Sequence, residues 1–173
     1  MMPRLATTVV PARALARCLS ELSTVIERTS DGDYVAKPPG GVSGSIGAHV
    51  RHCLDHVHAV LDRVPDGTMT YDHRRRHAAL EECRLVAVAA LRAAVERLDQ
   101  LAVRTPDAPV LLETQVDRDG GRVQVATSMA RELVFVLQHT IHHQALVALL
   151  LAGRGVPVPV TFGYAPSTPR PAA

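Results

Sequence analysis

Four stretches of this chain space their apolar residues at intervals of three and four, a periodicity suited to long helices that each bury one face. From Ala12 to Ile26 the stripe is Leu15, Cys18, Leu19, Leu22, Val25 and Ile26. The second runs through Ile46, Val50, Cys53, Val57, Leu61 and Val64, with Ser43 or Ser45 placed to cap it and Pro65 and Gly67 placed to end it. In the third, Leu80, Ala87, Leu91, Ala94, Leu98 and Leu101 recur at nearly seven-residue spacing, which suits a bundle seam, and that helix is predicted to end before Pro106. The fourth, capped by Thr127 or Ser128 and closed at Gly153, is apolar nearly all round to Leu151 and is expected to be the most buried.

The segments between are legible from their breakers. Residues 29–44 contain Asp31-Gly32, Pro38-Pro39 and Gly40-Gly41 and are predicted to be a plain connection, with no GK[ST] to make a phosphate loop. Leu112, Thr114 and Val116 on one side of Asp119-Gly120, and Val123 and Val125 on the other, predict a two-residue hairpin in which Val116 faces Val123 and Thr114 faces Val125. Five prolines follow Gly153, so the tail, from about residue 160 to 173, is expected to be irregular. The expected architecture is all-α: a four-helix bundle with a small β-hairpin insertion before the last helix, one domain over residues 1–173.

Composition narrows the function classes. With 47% hydrophobic and 21% charged residues the chain is predicted to be globular. Its net charge of +2, from interspersed charges, and its five aromatics argue against a nucleic-acid partner. Three cysteines, Cys18, Cys53 and Cys83, without CxxC spacing suggest neither a disulfide framework nor a thiolate zinc site, so a reducing cytoplasm is expected. The N-terminal apolar run is cut by Pro11, Arg13 and Arg17, which argues against a secretion signal. The most apolar window, Leu133 to Leu151, holds three histidines and two glutamines, so a buried helix is expected there and no membrane partner.

Seven of the nine histidines fall in two clusters, His49, His52, His56 and His58, and His139, His142 and His143. On a helix His139 and His143 project from one face one turn apart and can share a metal ion. His49, His52 and His56 lie within about 60° of one another around their helix, so one of them can complete a three-nitrogen site. The last helix reads HTIHH and lacks the Glu of HExxH, which excludes a zincin, and the inward Glu residues and ExxH pairs of a di-iron bundle are missing too. Three neutral imidazoles suit Zn, Ni, Fe or Cu and leave positions for water or substrate.

These residues resemble the DinB-like superfamily of bacterial metal-binding four-helix bundles. The likeness rests on SIGAHVRHCLDH at 45–56, on ELVFVLQHTIHH at 132–143 and on the order of helices between them. In that family one ligand lies six residues after the apolar residue near the start of the second helix, here Ile46, which implies His52; His139 and His143 match the pair on the fourth helix. A helical wheel places the stripe's centre near Val50 and Val57 and leaves His49 and His56 closer to the core than His52. His56 is therefore the alternative ligand or supporting group, and His49 ranks third. The tail FGYAPSTP, residues 162–169, is similar to the ending of an uncharacterised branch of the superfamily.

The other candidates read more plainly. His58, His73, His77 and His142 are expected at the surface, and Cys53, about 100° from His52, is expected to be a small core residue. Glu132, two turns before His139 on the same face, is open to three roles: orienting a ligand histidine, serving as a base, or making a buried ion pair or cap. Arg74 to Arg76 suit a solvated helix start, and Tyr71 and Asp72 have no role that the sequence assigns. The resemblance implies a metal-dependent enzyme, a thiol-dependent transferase or a hydrolase, acting on a small molecule, with a low-molecular-weight thiol as one candidate and a divalent transition metal (Zn, Ni or Fe) as cofactor. The alternative is a non-catalytic, stress-associated metal-binding bundle, and a homodimer is compatible with either.

Overall fold

The long stripes become helices because each needs the others to cover it. A computed structural model describes residues 8–38, 44–62, 67–72, 77–104 and 107–169. In order these form α1 (Val9–Glu27), α2 (Asp31–Val35), α3 (Ile46–Leu61), β1 (Thr68–Thr70), α4 (Ala78–Glu82), α5 (Arg84–Arg104), β2 (Pro109–Gln115), β3 (Arg122–Ser128) and α6 (Met129–Ala152). The fold is mostly helical with a small three-stranded sheet. Helix α1 packs against α5 and α6, and α3 packs against the same two. Leu15, Leu19, Leu54, Leu91, Leu98 and Leu133 are fully buried between them in one apolar cluster. Ser45 Oγ accepts the Ala48 N–H at 3.1 Å and Ser128 Oγ accepts the Arg131 N–H, so serine sets where both histidine-bearing helices begin.

Five features depart from the sequence reading. The connection after α1 is not plain: Ser30 caps a short helix, α2, whose Tyr34 is wholly buried with its O–H on the Leu80 carbonyl at 2.5 Å. The third long helix is two, because Cys83 takes an extended conformation (φ −126°, ψ 107°) and turns α4 away from α5. That turn lays α4 across the start of α3, where Arg51 pairs with Glu81 at 2.9 Å. Helix α6 is not buried all round; its Glu132, Leu133, Val136, Thr140, His143 and Val147 face inward, while Val134 and Leu149 are exposed. By length and composition α6 could cross a membrane, yet Glu132, Thr140, His143 and Gln144 lie on its buried side.

The hairpin exists in a different register. Thr114 faces Val123 and Leu112 faces Val125, two residues from the expected pairing, and residues 116–121 form the connection. Asp117 causes the shift: its carboxylate accepts the N–H groups of Asp119 and Gly121 at 3.0 and 2.8 Å, closing a longer loop with Gly120 at φ +91°. A third strand, β1, pairs in parallel with β2 through Thr68↔Leu111 to Thr70↔Glu113. Three residues are too few to show a strand period in the sequence. Residues 160–169 form no helix or strand, and Phe162 is buried while Gly163 (φ +80°) lies against the backbone of Ala145, anchoring the segment on α6. His73, Arg74 to Arg76, Pro65 and Pro106 lie outside the described residues.

Candidate metal centre

The α3 and α6 helices cross so that their histidine faces meet. His52 and His139 bring their Nε2 atoms to 3.0 Å. Two bonds of about 2.1 Å to one tetrahedral ion would put the nitrogens about 3.4 Å apart, close to that separation. His56 lies against both, with ring centroids 4.5 Å from His52 and 4.1 Å from His139. One ligand atom each from His52, His56 and His139 falls within 4.8 Å of the others, so these three could hold a metal ion. His56 Nδ1 lies 3.0 Å from the His52 carbonyl oxygen. A carbonyl only accepts, so Nδ1 carries the proton and Nε2 keeps its lone pair, the arrangement a ligating histidine adopts.

His143 also touches the central pair, at 4.7 Å from the His52 ring and 4.6 Å from the His139 ring. Its Nδ1 meets His49 Nδ1 at 2.9 Å. Five imidazoles among the described residues therefore share one nest, with His52 and His139 at its middle. The wheel was right about depth: His49 and His56 are buried, whereas His52 is only partly so and stands at the edge of the stripe. His142 and His77 are exposed, and His58 is partly buried on the α3 flank. Cys53 is a buried core thiol whose pKa burial pushes up, which suits neither a nucleophile nor a ligand at neutral pH.

Burial lowers the pKa of His143 to about 3, and the neighbouring imidazoles act the same way, His139 first, then His49, His142 and His56. Burial followed by His142 lowers that of His49. A histidine with a folded value below its unfolded value of about 6.5 takes up its proton more readily in the unfolded chain. Its contribution to stability is then whole above about pH 6.5 and is lost as pH falls from there toward 3. The metal-free protein is expected to melt progressively lower across that window, and His143→Gln is expected to flatten the slope. Melting followed by circular dichroism at pH 7 and pH 5 checks this; an unchanged slope in the variant would clear His143 of the effect.

Aromatic and acidic groups surround the nest. Tyr71 stacks on His56 with ring centroids 5.1 Å apart, Phe135 stacks on His139 at 5.8 Å, and Arg131 lies over Phe135 at 5.5 Å. Among the described residues Glu132 makes no direct hydrogen bond to a histidine. Its carboxylate accepts the Tyr71 O–H at 2.7 Å and the Thr127 O–H at 2.8 Å, with Arg131 at 3.5 Å. Sequence reasoning missed Tyr71: in the structure Met69 and Tyr71 are buried with Thr70 less so between them, but so short an alternation gives no usable signal in the sequence.

A family model of the DinB superfamily matches residues 14–147, from the first turns of α1 to beyond the last histidine. The chain belongs to the DinB superfamily. The match takes in both histidine-bearing helices of the centre. Among curated proteins, the chain is similar to FK506-binding protein 5 of Rhizopus delemar, 31% identical over 101 residues. That stretch is 58% of this chain and 26% of the relative, so the likeness spans about a quarter of the fungal protein. No solved structure is significantly similar to the chain.

Proposed function

We propose that this DinB superfamily protein is a metal-dependent enzyme built on the bundle of its four long helices, and that it transfers a thiol to, or hydrolyses, a small molecule in a reducing compartment. The observation that carries the reading is the 3.0 Å approach of His52 and His139 across two helices, with a third imidazole against both. His52, His139 and His56 would hold the ion. The set implied by the family resemblance, His52, His139 and His143, is the second reading, favoured by the contact of the His143 ring with both central imidazoles. An all-imidazole donor set suits Zn, Ni or Fe over Mg or Ca, which prefer oxygen. The chemistry such an ion supplies is Lewis acidity, which makes a water or thiol a nucleophile near neutral pH.

The chain's own residues do the rest. Tyr71 and Phe135 back the imidazoles with apolar surface and limit water on that side, and the His52 carbonyl holds His56 with its Nε2 lone pair available. A non-catalytic role is the competing reading, because the nest has enough imidazoles for a fourth to close the coordination shell. Metal content of protein purified without an affinity tag, followed by conjugation of N-acetylcysteine to 1-chloro-2,4-dinitrobenzene, separates the two. The enzyme reading expects turnover that needs the metal and disappears in His139→Ala. Tight metal binding with no turnover, and no displacement of the metal's water by the thiol, would favour the structural role.

A further inference from the structure

Glu132 is 1% exposed, and a carboxylate is costly to bury unless donors surround it. Its donors come from three places: Tyr71 just after β1, Thr127 near the end of β3, and Arg131 on α6 itself. The phenol donates its O–H to the Glu132 carboxylate at 2.7 Å, so its proton is held in that bond. A protonated phenol does not bind a metal as phenolate; it offers its ring instead. That ring lies nearly parallel to His56, at 20°, and meets Phe135 at 5.2 Å, while Phe135 stacks on His139 at 23°. Two aromatic rings thus brace two of the imidazoles, and only Tyr71 is tethered by a hydrogen bond to a buried charge. Thr127 and Glu132 also line a groove of about 680 Å³ between the hairpin and α6, with Leu112, Val125 and Arg131. Glu132 lines that groove and Tyr71 stacks on His56, so the hydrogen bond between them links the two.

We infer that Tyr71 is a positioning residue of the imidazole centre, held in place by Glu132, and that this pair ties the β-hairpin, through Thr127, to the orientation of His56. The role in metal binding rests on the function proposed above, whereas the orientation of His56 does not.

Two measurements on the full chain test the pair. In metal-free protein, long-range proton–nitrogen spectra of the histidine rings read the His56 tautomer directly. Wild type is expected to show His56 protonated at Nδ1 alone. Tyr71→Phe, which keeps the ring and removes the O–H, and Glu132→Ala are expected to give mixed tautomers, and Glu132→Gln, which keeps an acceptor for the phenol, is expected to restore the wild-type signal. In cobalt(II)-loaded protein, Tyr71→Phe is expected to shift the visible absorption bands and weaken cobalt binding about tenfold, the low end of what an outer partner of a ligand costs. His56 signals and cobalt bands that stay unchanged in Tyr71→Phe, even beside a lower melting temperature, would make the pair purely structural and overturn the inference. A phenolate charge-transfer band in copper(II)-loaded wild type, absent from Tyr71→Phe, would overturn it the other way by making Tyr71 a ligand. If wild type binds no cobalt, the proposed function fails while the metal-free spectra still decide the pair.

Discussion

Alanine at His52 or at His139 is expected to weaken metal binding by at least about a hundredfold, beyond what loss of an outer partner costs. Each removes half of the central pair, whose Nε2 atoms meet at 3.0 Å. The third bond separates the two ligand sets. If His56 supplies it, His56→Ala matches the central variants and His143→Ala costs less; the reverse order assigns the bond to His143. His142→Ala is the control, since His142 is exposed and points about 100° from His143. Helix content should survive in every variant, because Leu133, Val136, Val147 and Leu151 bury α6 without help from an ion. Isothermal titration with zinc and far-ultraviolet circular dichroism read both effects. Equal losses for His142→Ala and His139→Ala would refute the assigned face of α6.

Gly47→Ala is expected to be the most damaging small substitution in the fold. A methyl group there would run into the Glu81 carbonyl and sit 2.8 Å from the Tyr34 ring and 2.9 Å from the Glu81 carbonyl carbon. Two of those three contacts are backbone, so no side chain can rotate aside. Either α4 lifts off α3, breaking the Arg51 to Glu81 ion pair and the Tyr34 to Leu80 hydrogen bond, or the first turn of α3 shifts with His49 and His52 on it. Overpacking of this kind costs about 1–3 kcal/mol, occasionally more. At Gly153 the nearest atoms to an added methyl are 3.7 Å away, so Gly153→Ala should be nearly neutral. Urea unfolding of both variants measures the difference; comparable midpoints would mean that α4 yields without cost. Because α4 presses on the start of α3, Gly47→Ala should also weaken metal binding, an effect that core substitutions far from α3 would not share.

Helix periodicity is a local property, and it was legible locally. Leu15 to Ile26, Ile46 to Leu61 and the last helix to Gly153 lie where their spacing put them, and Ser45 and Ser128 cap two of them as serine does. The clustering of histidines on two helix faces was legible for the same reason, since four residues make about one turn whatever the surroundings. Which imidazoles meet was not, because that depends on how α3 and α6 cross. No spacing within one helix says that His52 meets His139, or that His49 meets His143. The break at Cys83, the hairpin register set by Asp117 and the strand β1 escaped for a related reason: each depends on one backbone conformation or a few hydrogen bonds that outweigh a weak local preference. The roles of Tyr71 and Glu132 belong wholly to the tertiary structure. They stand 61 residues apart, and only the packing of the sheet end against α6 makes a buried carboxylate the partner of a phenol.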